Sequence, residues 1–423
     1  MAPNVEIISK EIIKPSSPTP DHLRNLKLSF LDQVEPPVYV PLIFFYQFDE
    51  LCFDADKSKL LKQSLSNTLT MFYPLAGRIH ENSSIDCNDS GVEFIEARVH
   101  AVLSNVIHKS NMEELKKLLA VDPIGIVFDT LLAVQINFFD CGGIAIGVCL
   151  SHQIADGTSL VEFMNTWAAT CRGKAKIVQP CFDLARSFPP KDLLGSGFTP
   201  NILITKEKIV TKRFVFDKEK LAKLKEVAAS GDGSQVQDPT RVEAVSAHIW
   251  KQFMEIAKNK IDEKKALFFA LHAVNLRPRT SPPLSEHAFG NCWWPAIAVS
   301  TSSDDNNGFS VLVTMLRNAI RKINSDYMEQ VKEDYLNHLS KLSDLLLKGD
   351  VELYNFTSWC RFPVYEVDYG WGKPCWVCTT TLPIKNIVIL MNTPCGDGIE
   401  AWVNMLEQDM EMLESHQKST GYA

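Results

Sequence analysis

Two side chains in the middle of the sequence have the types and spacing to transfer a proton. His152 and Asp156 lie four positions apart in the stretch SHQIADG, and Gly157 follows them directly. A histidine with a pKa of about 6.5 can accept a proton as neutral imidazole at cytosolic pH, which is the task of a general base. The aspartate could orient the ring, or it could bind an arginine and hold the turn together. The histidine could equally be a hydrogen-bonded structural residue.

Other chemistries find less support in the sequence. His152 and Asp156 are too few for a metal site, and no third ligand follows at a clear spacing. No G-x-S-x-G motif supplies a serine nucleophile. Cys375 and Cys378 form a CxxC pair, but the run PCWVCTTT is typical of a strand, on which residues three apart point to opposite faces. We therefore predict no metal site and a base that acts directly on a substrate hydroxyl or amine.

The elements around His152 place it where a strand ends and a helix begins. IAIGVCL is an apolar, strand-like run, and from Ser159 onward apolar residues recur at helical spacing. These residues are Leu160, Phe163, Met164, Trp167 and Ala168. Ser159 and Glu162, three apart, predict a capping box at the start of the helix. Side chains at such a junction reach the edge of a cleft.

The composition is that of a globular protein that does not bind nucleic acid or membranes. The 423 residues are 45% hydrophobic and 22% charged, with a net charge of −8, and no apolar run is long enough to span a bilayer. The N-terminal stretch lacks the apolar core of a signal peptide, and the 11 cysteines are an odd number. We therefore expect reduced thiols and a cytoplasmic location.

Strands and helices are mixed in both halves of the chain, which predicts two α/β domains with a ligand cleft between them. We predict an N-terminal domain over 1–185 that carries HxxxDG, a linker over the proline- and glycine-rich stretch 186–210, and a C-terminal domain over 211–423. In the C-terminal domain, Thr240 and Glu243 predict a capping box at the start of a helix.

A second motif, DYGWG, lies near the C-terminal end. It consists of Asp368, Tyr369, Gly370, Trp371 and Gly372. Glycines permit tight bends, an aspartate accepts backbone N–H groups, and aromatic rings pack together. Taken alone, the motif is typical of a structural loop.

HxxxDG and DYGWG together resemble the motifs of the BAHD family of plant acyl-CoA-dependent acyltransferases. Further similar stretches are PSSPTP, FYPLAGRI, FDCGGIAIGVCLSHQIADG, AVNLRPR, FGN and TSWCRFPVYEVDYGWGKP. The resemblance covers nearly the whole chain and is greatest to the subgroup that acetylates alkaloids. It implies two similarly sized chloramphenicol-acetyltransferase-like α/β domains with mixed sheets. Coenzyme A and the acceptor would enter a channel between these domains from opposite faces.

The resemblance also implies roles for single residues. His152 would be the general base, and Asp156 would point away from it and pair with an arginine. Arg277 is the first choice for that arginine and Arg279 the second. The DYGWG motif, residues 368–372, would lie away from the acceptor and hold the shape of the channel.

Three further residues are candidates for binding. Thr357 of the TSW segment would donate to the oxyanion or the acceptor, or it would be a strand hydroxyl that is bonded locally. Thr240 and Arg241 lie at a predicted helix N-terminus, which is a ready site for the phosphates of coenzyme A. A plain helix cap is the alternative there.

Two places depart from the family pattern. Family members usually carry Phe where this chain has Tyr369, whose hydroxyl needs a partner if it is buried. Trp293 and Trp294, after the FGN turn, are larger than expected. They belong either to the core or to the wall of a substrate pocket.

The implied activity is transfer of an acetyl group from acetyl-CoA to a hydroxyl of a plant alkaloid, with the monoterpenoid indole type favoured. The attack on the thioester would be direct, so the kinetics would be sequential. Acyl-CoA would be a co-substrate, no cofactor would be bound permanently, and the protein would be a monomer. The same chemistry on another alcohol or amine, or with another acyl-CoA, is one alternative. A non-catalytic member that binds a small molecule is the other.

Overall fold

The computed structural model describes residues 4–48, 55–109, 111–124, 130–174, 177–193, 198–230, 235–258, 267–301, 308–348 and 351–420. Within these ranges the strands are β1 (Asn4–Ile13), β2 (Asn25–Lys27), β3 (Tyr39–Tyr46), β4 (Arg78–His80), β5 (Ser84–Asp86), β6 (Val92–His100), β7 (Leu132–Phe139), β8 (Ile144–Ser151), β9 (Ile209–Phe216), β10 (Leu267–Asn275), β11 (Trp293–Thr301), β12 (Val351–Ser358), β13 (Trp376–Cys378), β14 (Ile387–Asn392) and β15 (Ile399–Leu406).

The α-helices in the same ranges are α1 (Phe30–Gln33), α2 (Ala55–Met71), α3 (Leu103–Lys109), α4 (Met112–Lys116), α5 (Gly157–Cys171), α6 (Leu184–Ser187), α7 (Lys218–Ser230), α8 (Arg241–Lys258), α9 (Phe309–Lys322), α10 (Ser325–Lys348) and α11 (Glu407–Thr420). Short 3-10 turns cover Asp21–Leu23, Tyr73–Ala76, Pro200–Leu203, Arg277–Arg279 and Val364–Glu366. No helix in the described ranges is long and apolar enough to cross a bilayer.

The chain divides into two compact units, and the division is not continuous along the sequence. The first unit contains Met1–Lys191, Ser285–Cys292 and Phe362–Pro383, and the second contains Asp192–Leu284, Trp293–Arg361 and Ile384–Ala423. This division differs from the continuous boundaries predicted from the sequence, 1–185 and 211–423. The predicted placement of DYGWG in the C-terminal domain is corrected, because residues 368–372 belong to the first unit. The channel between the domains stays a prediction.

The first unit is built on a six-stranded mixed sheet with the order β1-β6-β7-β8-β3-β13. Only β6 and β7 pair in parallel, and the other neighbours are antiparallel. Every residue of β3, β7 and β8 is buried, which explains their near-continuous apolar sequences. The edge strand β13 pairs with β3, with Trp376 opposite Phe45. The late segment of the chain returns to the first unit to complete this sheet.

Helix α5 follows β8 and presents its apolar stripe to the core of the first unit. The five stripe residues predicted above are all buried. Trp167 also donates from Nε1 to Ser64 Oγ on α2, at 3.0 Å. The predicted capping box of Ser159 and Glu162 is wrong. The helix begins at Gly157, and Asp156 is its N-cap.

The second unit carries its own six-stranded mixed sheet, with the order β11-β10-β12-β14-β15-β9. Strands β10, β12 and β14 are parallel neighbours. The capping box predicted at α8 is confirmed, because Thr240 N donates to Glu243 Oε2 at 2.8 Å and Glu243 N donates to Thr240 Oγ1 at 3.1 Å. Two mixed sheets with flanking helices confirm the predicted α/β class.

The DYGWG motif closes over the C-terminal end of α5. The Asp368 Oδ1 atom accepts backbone N–H groups from Gly370 at 2.8 Å and from Gly372 at 3.0 Å. Both glycines have φ near +108°, a conformation that side chains with a Cβ rarely adopt. Arg172 is the C-cap of α5, and its Nη1 atom lies 3.9 Å from Asp368 Oδ2. His152 precedes the opposite end of this 15-residue helix, so the motif is about 20 Å away from it.

The Tyr369 hydroxyl is buried among aromatic rings without a hydrogen bond to any described residue. The ring is 1% exposed and packs edge-on against Trp167, with ring centroids 5.1 Å apart. Its Oη atom has no hydrogen-bond partner within the described part of the chain. A buried hydroxyl without a partner loses its hydration and gains nothing in exchange. The site therefore suits a buried aromatic ring at position 369, but its described residues provide no hydrogen-bond partner for the hydroxyl.

We expect Tyr369→Phe to stabilise the protein. Removing the unpaired hydroxyl should raise the free energy of unfolding by about 1 kcal/mol, because a desolvation penalty disappears. Tyr46→Phe is the matched control, since the buried Tyr46 hydroxyl donates to Val367 O at 2.8 Å and its loss should destabilise the fold. Chemical denaturation of both variants measures the two effects. Equal destabilisation by both changes would contradict the prediction.

Candidate active site

His152 is held by its backbone on both sides. It directly follows β8, its N–H donates to Val38 O at 2.8 Å, and its carbonyl oxygen accepts from Asn291 Nδ2 at 2.6 Å. The side chain keeps 24% exposure, while its Nδ1 atom is buried. The ring is therefore not sealed in the core, although its Nδ1 side is buried.

The surroundings of His152 favour neutral imidazole. Burial lowers the pKa of His152 below its usual range, because desolvation penalises the charged ring. The carbonyl of His152 itself, the charge of Asp156 and the side-chain amide of Asn291 oppose this effect but do not cancel it. A base must be unprotonated to accept a proton, so the lowered pKa keeps His152 competent at neutral pH.

Asp156 connects two segments of the first unit. Its Oδ1 atom accepts the backbone N–H of Ser159 at 2.9 Å and caps α5, and its Oδ2 atom accepts the backbone N–H of Cys292 at 3.1 Å. The residue is 7% exposed. Hydrogen bonds from N–H groups to a buried carboxylate are strong, so Asp156 fixes the turn that carries His152.

The turn FGN packs directly on the start of α5. The Ser159 hydroxyl donates to Gly290 O at 3.0 Å, and its Oγ atom accepts from Gly290 N at 3.1 Å. Gly290 has a φ of +137°, and a Cβ there would lie 2.7 Å from the Leu184 side chain. Glycine is therefore required for this close approach, which brings Asn291 under the carbonyl of His152.

Asn291 is in turn held by Asp32, a residue that the sequence reasoning missed. The Asp32 Oδ1 atom accepts from Asn291 N at 2.7 Å and from Asn291 Nδ2 at 3.0 Å. The other oxygen, Oδ2, accepts from the N and Oγ atoms of Ser29 at 3.0 and 2.5 Å. Ser29 and Asp32 are three apart and form the capping box of α1, so their spacing was an available signal.

A family model described as "Transferase family" matches residues 3–420 of this chain. The chain belongs to the BAHD family of acyltransferases. It is therefore an enzyme of the acyltransferase class, and the resemblance stated from its motifs is confirmed.

Relatives within the BAHD family are similar over nearly their full length. Stemmadenine O-acetyltransferase of Catharanthus roseus is 47% identical over 98% of this chain and 97% of that protein. Vinorine synthase of Rauvolfia serpentina is 46% identical over 98% of this chain and 97% of that protein. Its crystal structure superposes with a TM-score of 0.84 and 43% identity over 97% of this chain and 96% of that one. A limonoid 7-O-acetyltransferase of Citrus sinensis is 40% identical over 97% of this chain and 96% of that protein.

The other residues predicted for this BAHD enzyme lie in the second unit. Arg277 is 3% exposed and donates from Nη1 to Asn275 Oδ1 at 3.3 Å. Arg279 donates from Nη1 to Ile320 O at 2.7 Å. Thr357 is half-buried on β12. The pairing of Asp156 with either arginine and the oxyanion role of Thr357 stay predictions.

The proposed phosphate contacts at α8 are already engaged within the second unit. Arg241 donates from Nη1 to Gly396 O at 2.8 Å and from Nη2 to Asn392 Oδ1 at 3.3 Å. The carboxylate of Glu243 occupies the first turn of this helix, where it accepts from Thr240 N and pairs with Arg317 at 2.6 Å. These contacts favour the plain helix cap, and the coenzyme A role of Thr240 and Arg241 stays a prediction.

The two adjacent tryptophans begin β11 and point to opposite faces. Trp294 is 7% exposed and Trp293 is half-buried, as the alternation of a strand requires. Trp294 therefore lies on the buried face of β11, and its assignment to the core or to a pocket wall stays a prediction. In the part of the chain that the structure describes, no group of three or more His, Cys, Asp or Glu residues could hold a metal ion.

A second missed residue, Glu35, lies beside the catalytic candidate. Its Oε2 atom is 3.3 Å from His152 Nδ1, and its side chain is 6% exposed. Glu35 follows α1 and is the only charged residue in the run VEPPVYVPLIFFY, which was the available signal. A buried acid in such an apolar run needs a reason, and the imidazole next to it is one.

The pH dependence of stability should report Asp32. Burial raises the pKa of Asp32 to about 6, because desolvation outweighs the hydrogen bonds from Ser29 and Asn291. The folded protein then binds this proton more tightly than the unfolded chain does. The resulting stabilisation is complete below the unfolded pKa and is lost as pH rises through about 6.

We therefore expect the unfolding free energy of the wild type to fall relative to that of Asp32→Asn as pH rises from 4 to 7. The relative change should be up to about 3 kcal/mol, from a shift of about two units. Urea titrations of both proteins at several pH values measure it, and the variant provides the baseline of all other titrating groups. A difference that is constant, or that grows with pH, would contradict the assignment.

Proposed function

We propose that this enzyme transfers an acetyl group from acetyl-CoA to a hydroxyl of a plant alkaloid, with a monoterpenoid indole type favoured, and that His152 is the general base. The single observation that carries the chemistry is the partly exposed His152 ring, with its lowered pKa and its backbone fixed on both sides. The names of the two relatives at 46–47% identity support the acceptor class. The cytoplasmic location and monomeric state predicted from the sequence are part of the proposal.

The reaction begins with neutral His152. Its Nε2 atom takes the proton of the acceptor hydroxyl while the hydroxyl oxygen attacks the thioester carbonyl carbon of acetyl-CoA. The tetrahedral intermediate collapses and breaks the carbon–sulfur bond. The imidazolium returns its proton to the leaving thiolate, so the products are the acetyl ester and free coenzyme A, and His152 is neutral again. No acyl-enzyme forms, so both substrates must be bound together.

The experiment is incubation of the purified protein with acetyl-CoA and a panel of indole alkaloids, benzylisoquinoline alkaloids and limonoids. Release of free thiol and a mass gain of one acetyl group on one acceptor are the expected result. Limonoids are included because a limonoid acetyltransferase is also 40% identical to this chain. Acetylation of a limonoid alone would replace the alkaloid proposal by this second candidate.

Initial rates with both substrates varied test the direct mechanism. Intersecting double-reciprocal lines are expected, whereas parallel lines would indicate a covalent acyl-enzyme and overturn it. Tight binding of acetyl-CoA without turnover of any acceptor would instead support the non-catalytic alternative.

A further inference from the structure

Glu35 and His152 form an imidazole–carboxylate pair, and the ring nitrogen involved is the buried one. The Glu35 Oε2 atom lies 3.3 Å from Nδ1, which is buried, and the contact is one of charge because its geometry is not that of a hydrogen bond. The exposed part of the ring therefore does not include Nδ1. A group at Nδ1 cannot contact the acceptor, but it can decide which nitrogen carries the proton of the neutral ring.

We propose that Glu35 is a positioning residue for the catalytic histidine, and this inference rests on the function proposed above. Its carboxylate keeps the proton of neutral His152 on Nδ1, which leaves Nε2 free to accept the proton of the acceptor. When Nε2 accepts that proton, the ring becomes positively charged, and the adjacent carboxylate stabilises the charge where solvent screening is weak.

Backbone hydrogen bonds hold Glu35 and His152 next to each other. His152 N donates to Val38 O, and Glu35 N donates to Asp32 O at 3.2 Å directly after α1. Pro36 and Pro37 follow Glu35 and restrict the chain between these two anchors. The segment 35–38 thus carries both the carboxylate at the ring and the carbonyl that fixes the backbone of His152.

Other charged groups of the first unit lie near His152, and their effects must be separated from that of Glu35. Asp156 acts on His152 through its charge, from the N-cap of α5. Asp32 holds Asn291, whose side-chain amide donates to the carbonyl of His152 and also raises the pKa of the ring. Both of these carboxylates accept backbone N–H groups, as described above. Glu35 is the one of the three that lies beside the ring nitrogen.

The test reads the ring directly and needs no acceptor. Protein labelled with ¹³C at Cε1 and ¹⁵N in histidine is titrated by NMR, and the His152 signal is identified by its loss in His152→Ala. In the wild type, the neutral ring should carry its proton on Nδ1. In Glu35→Gln, which keeps the size and removes the charge, the pKa of His152 should fall and the two tautomers should mix. Glu35→Asp should restore much of the wild-type behaviour.

Glu162→Gln is the matched control, because Glu162 Oε1 lies 2.9 Å from Nδ1 of another histidine of the first unit, His287. This variant should leave the His152 signal and its tautomer unchanged. A wild-type His152 ring protonated on Nε2, or an unchanged His152 titration in Glu35→Gln, would overturn the proposal even if acetyl transfer is confirmed.

Kinetics provide the second readout, with acetyl-CoA as donor and stemmadenine as the acceptor probe. Glu35→Gln should lower kcat on the order of tenfold, part of the roughly 10²–10⁴ that a general base contributes, and leave both KM values unchanged. A higher KM for stemmadenine with an unchanged kcat would mean that Glu35 binds the acceptor and would overturn the positioning role. If no acceptor is acetylated, the proposed function fails, and the NMR titration still decides whether Glu35 controls the ring.

Discussion

Replacement of His152 by Ala should lower kcat by about 10²–10⁴, because the reaction loses its general base. The KM for acetyl-CoA should change little, since the imidazole acts on the proton of the acceptor. The fold should survive, because the hydrogen bonds of residue 152 to Val38 and Asn291 are made by its backbone and not by its ring. Rapid-quench measurement of acetyl transfer isolates the chemical step from product release. Wild-type turnover in this variant would remove the mechanism proposed for this enzyme.

The role of His152 as a base also predicts the direction in which activity depends on pH. Protonation blocks the base, and burial places the pKa of His152 below its usual range. The wild-type kcat/KM should therefore be level through neutral pH and fall only in acid, below the usual range of histidine. His100→Ala is the control, because His100 is exposed and lies 3.3 Å from the acids Glu6 and Asp140 without contacting the site. That variant should retain the wild-type profile.

Asp156→Ala should have the largest effect on stability. It removes the N-cap of α5 and the acceptor for the Cys292 N–H, both inside the first unit. Loss of a cap costs about 1 kcal/mol and loss of a buried hydrogen bond to a charged group about 2 kcal/mol, so the free energy of unfolding should fall by about 3 kcal/mol. Activity should fall as well, because the turn that carries His152 loosens. Chemical denaturation together with kcat measures both effects.

Two comparisons sharpen this prediction. Asp156→Asn keeps an oxygen for the Ser159 N–H but loses the charge, so its destabilisation should be smaller. Asp21→Ala, at a fully exposed acid, should leave stability nearly unchanged. Lost activity with wild-type stability in Asp156→Ala would show that the aspartate acts on the ring and not on the turn.

Local patterns predicted the elements near the site well. The stripe from Leu160 to Ala168 identified the buried face of α5, and the spacing of Thr240 and Glu243 identified the start of α8. These features depend on residues three or four apart, so a short window of sequence contains all the information. The predicted capping box of Ser159 and Glu162 is absent because Asp156, which precedes it, accepts the Ser159 N–H that the Glu162 side chain would have accepted.

The parts of the site that were missed depend on contacts between distant segments. Asn291 reaches the carbonyl of His152 from 139 positions away, and Asp32 holds Asn291 from 259 positions away. No periodicity encodes such distances. Glu35 could be noticed as a single acid in an apolar run, but only the fold shows that an imidazole lies beside it. The discontinuous units were missed for the same reason, since strand β13 pairs with β3 across most of the chain.

The discontinuity of the first unit governs the order in which a ribosome can complete the enzyme. When residue 191 has emerged, the nascent chain holds the histidine and most of its sheet but neither Asn291 nor strand β13. Until those segments are translated, the edge of β3 is unpaired, and its free N–H and C=O groups, flanked by apolar side chains, can pair with other chains. The contacts that fix the backbone of His152 and cover this edge therefore form only after the later half of the chain has been made.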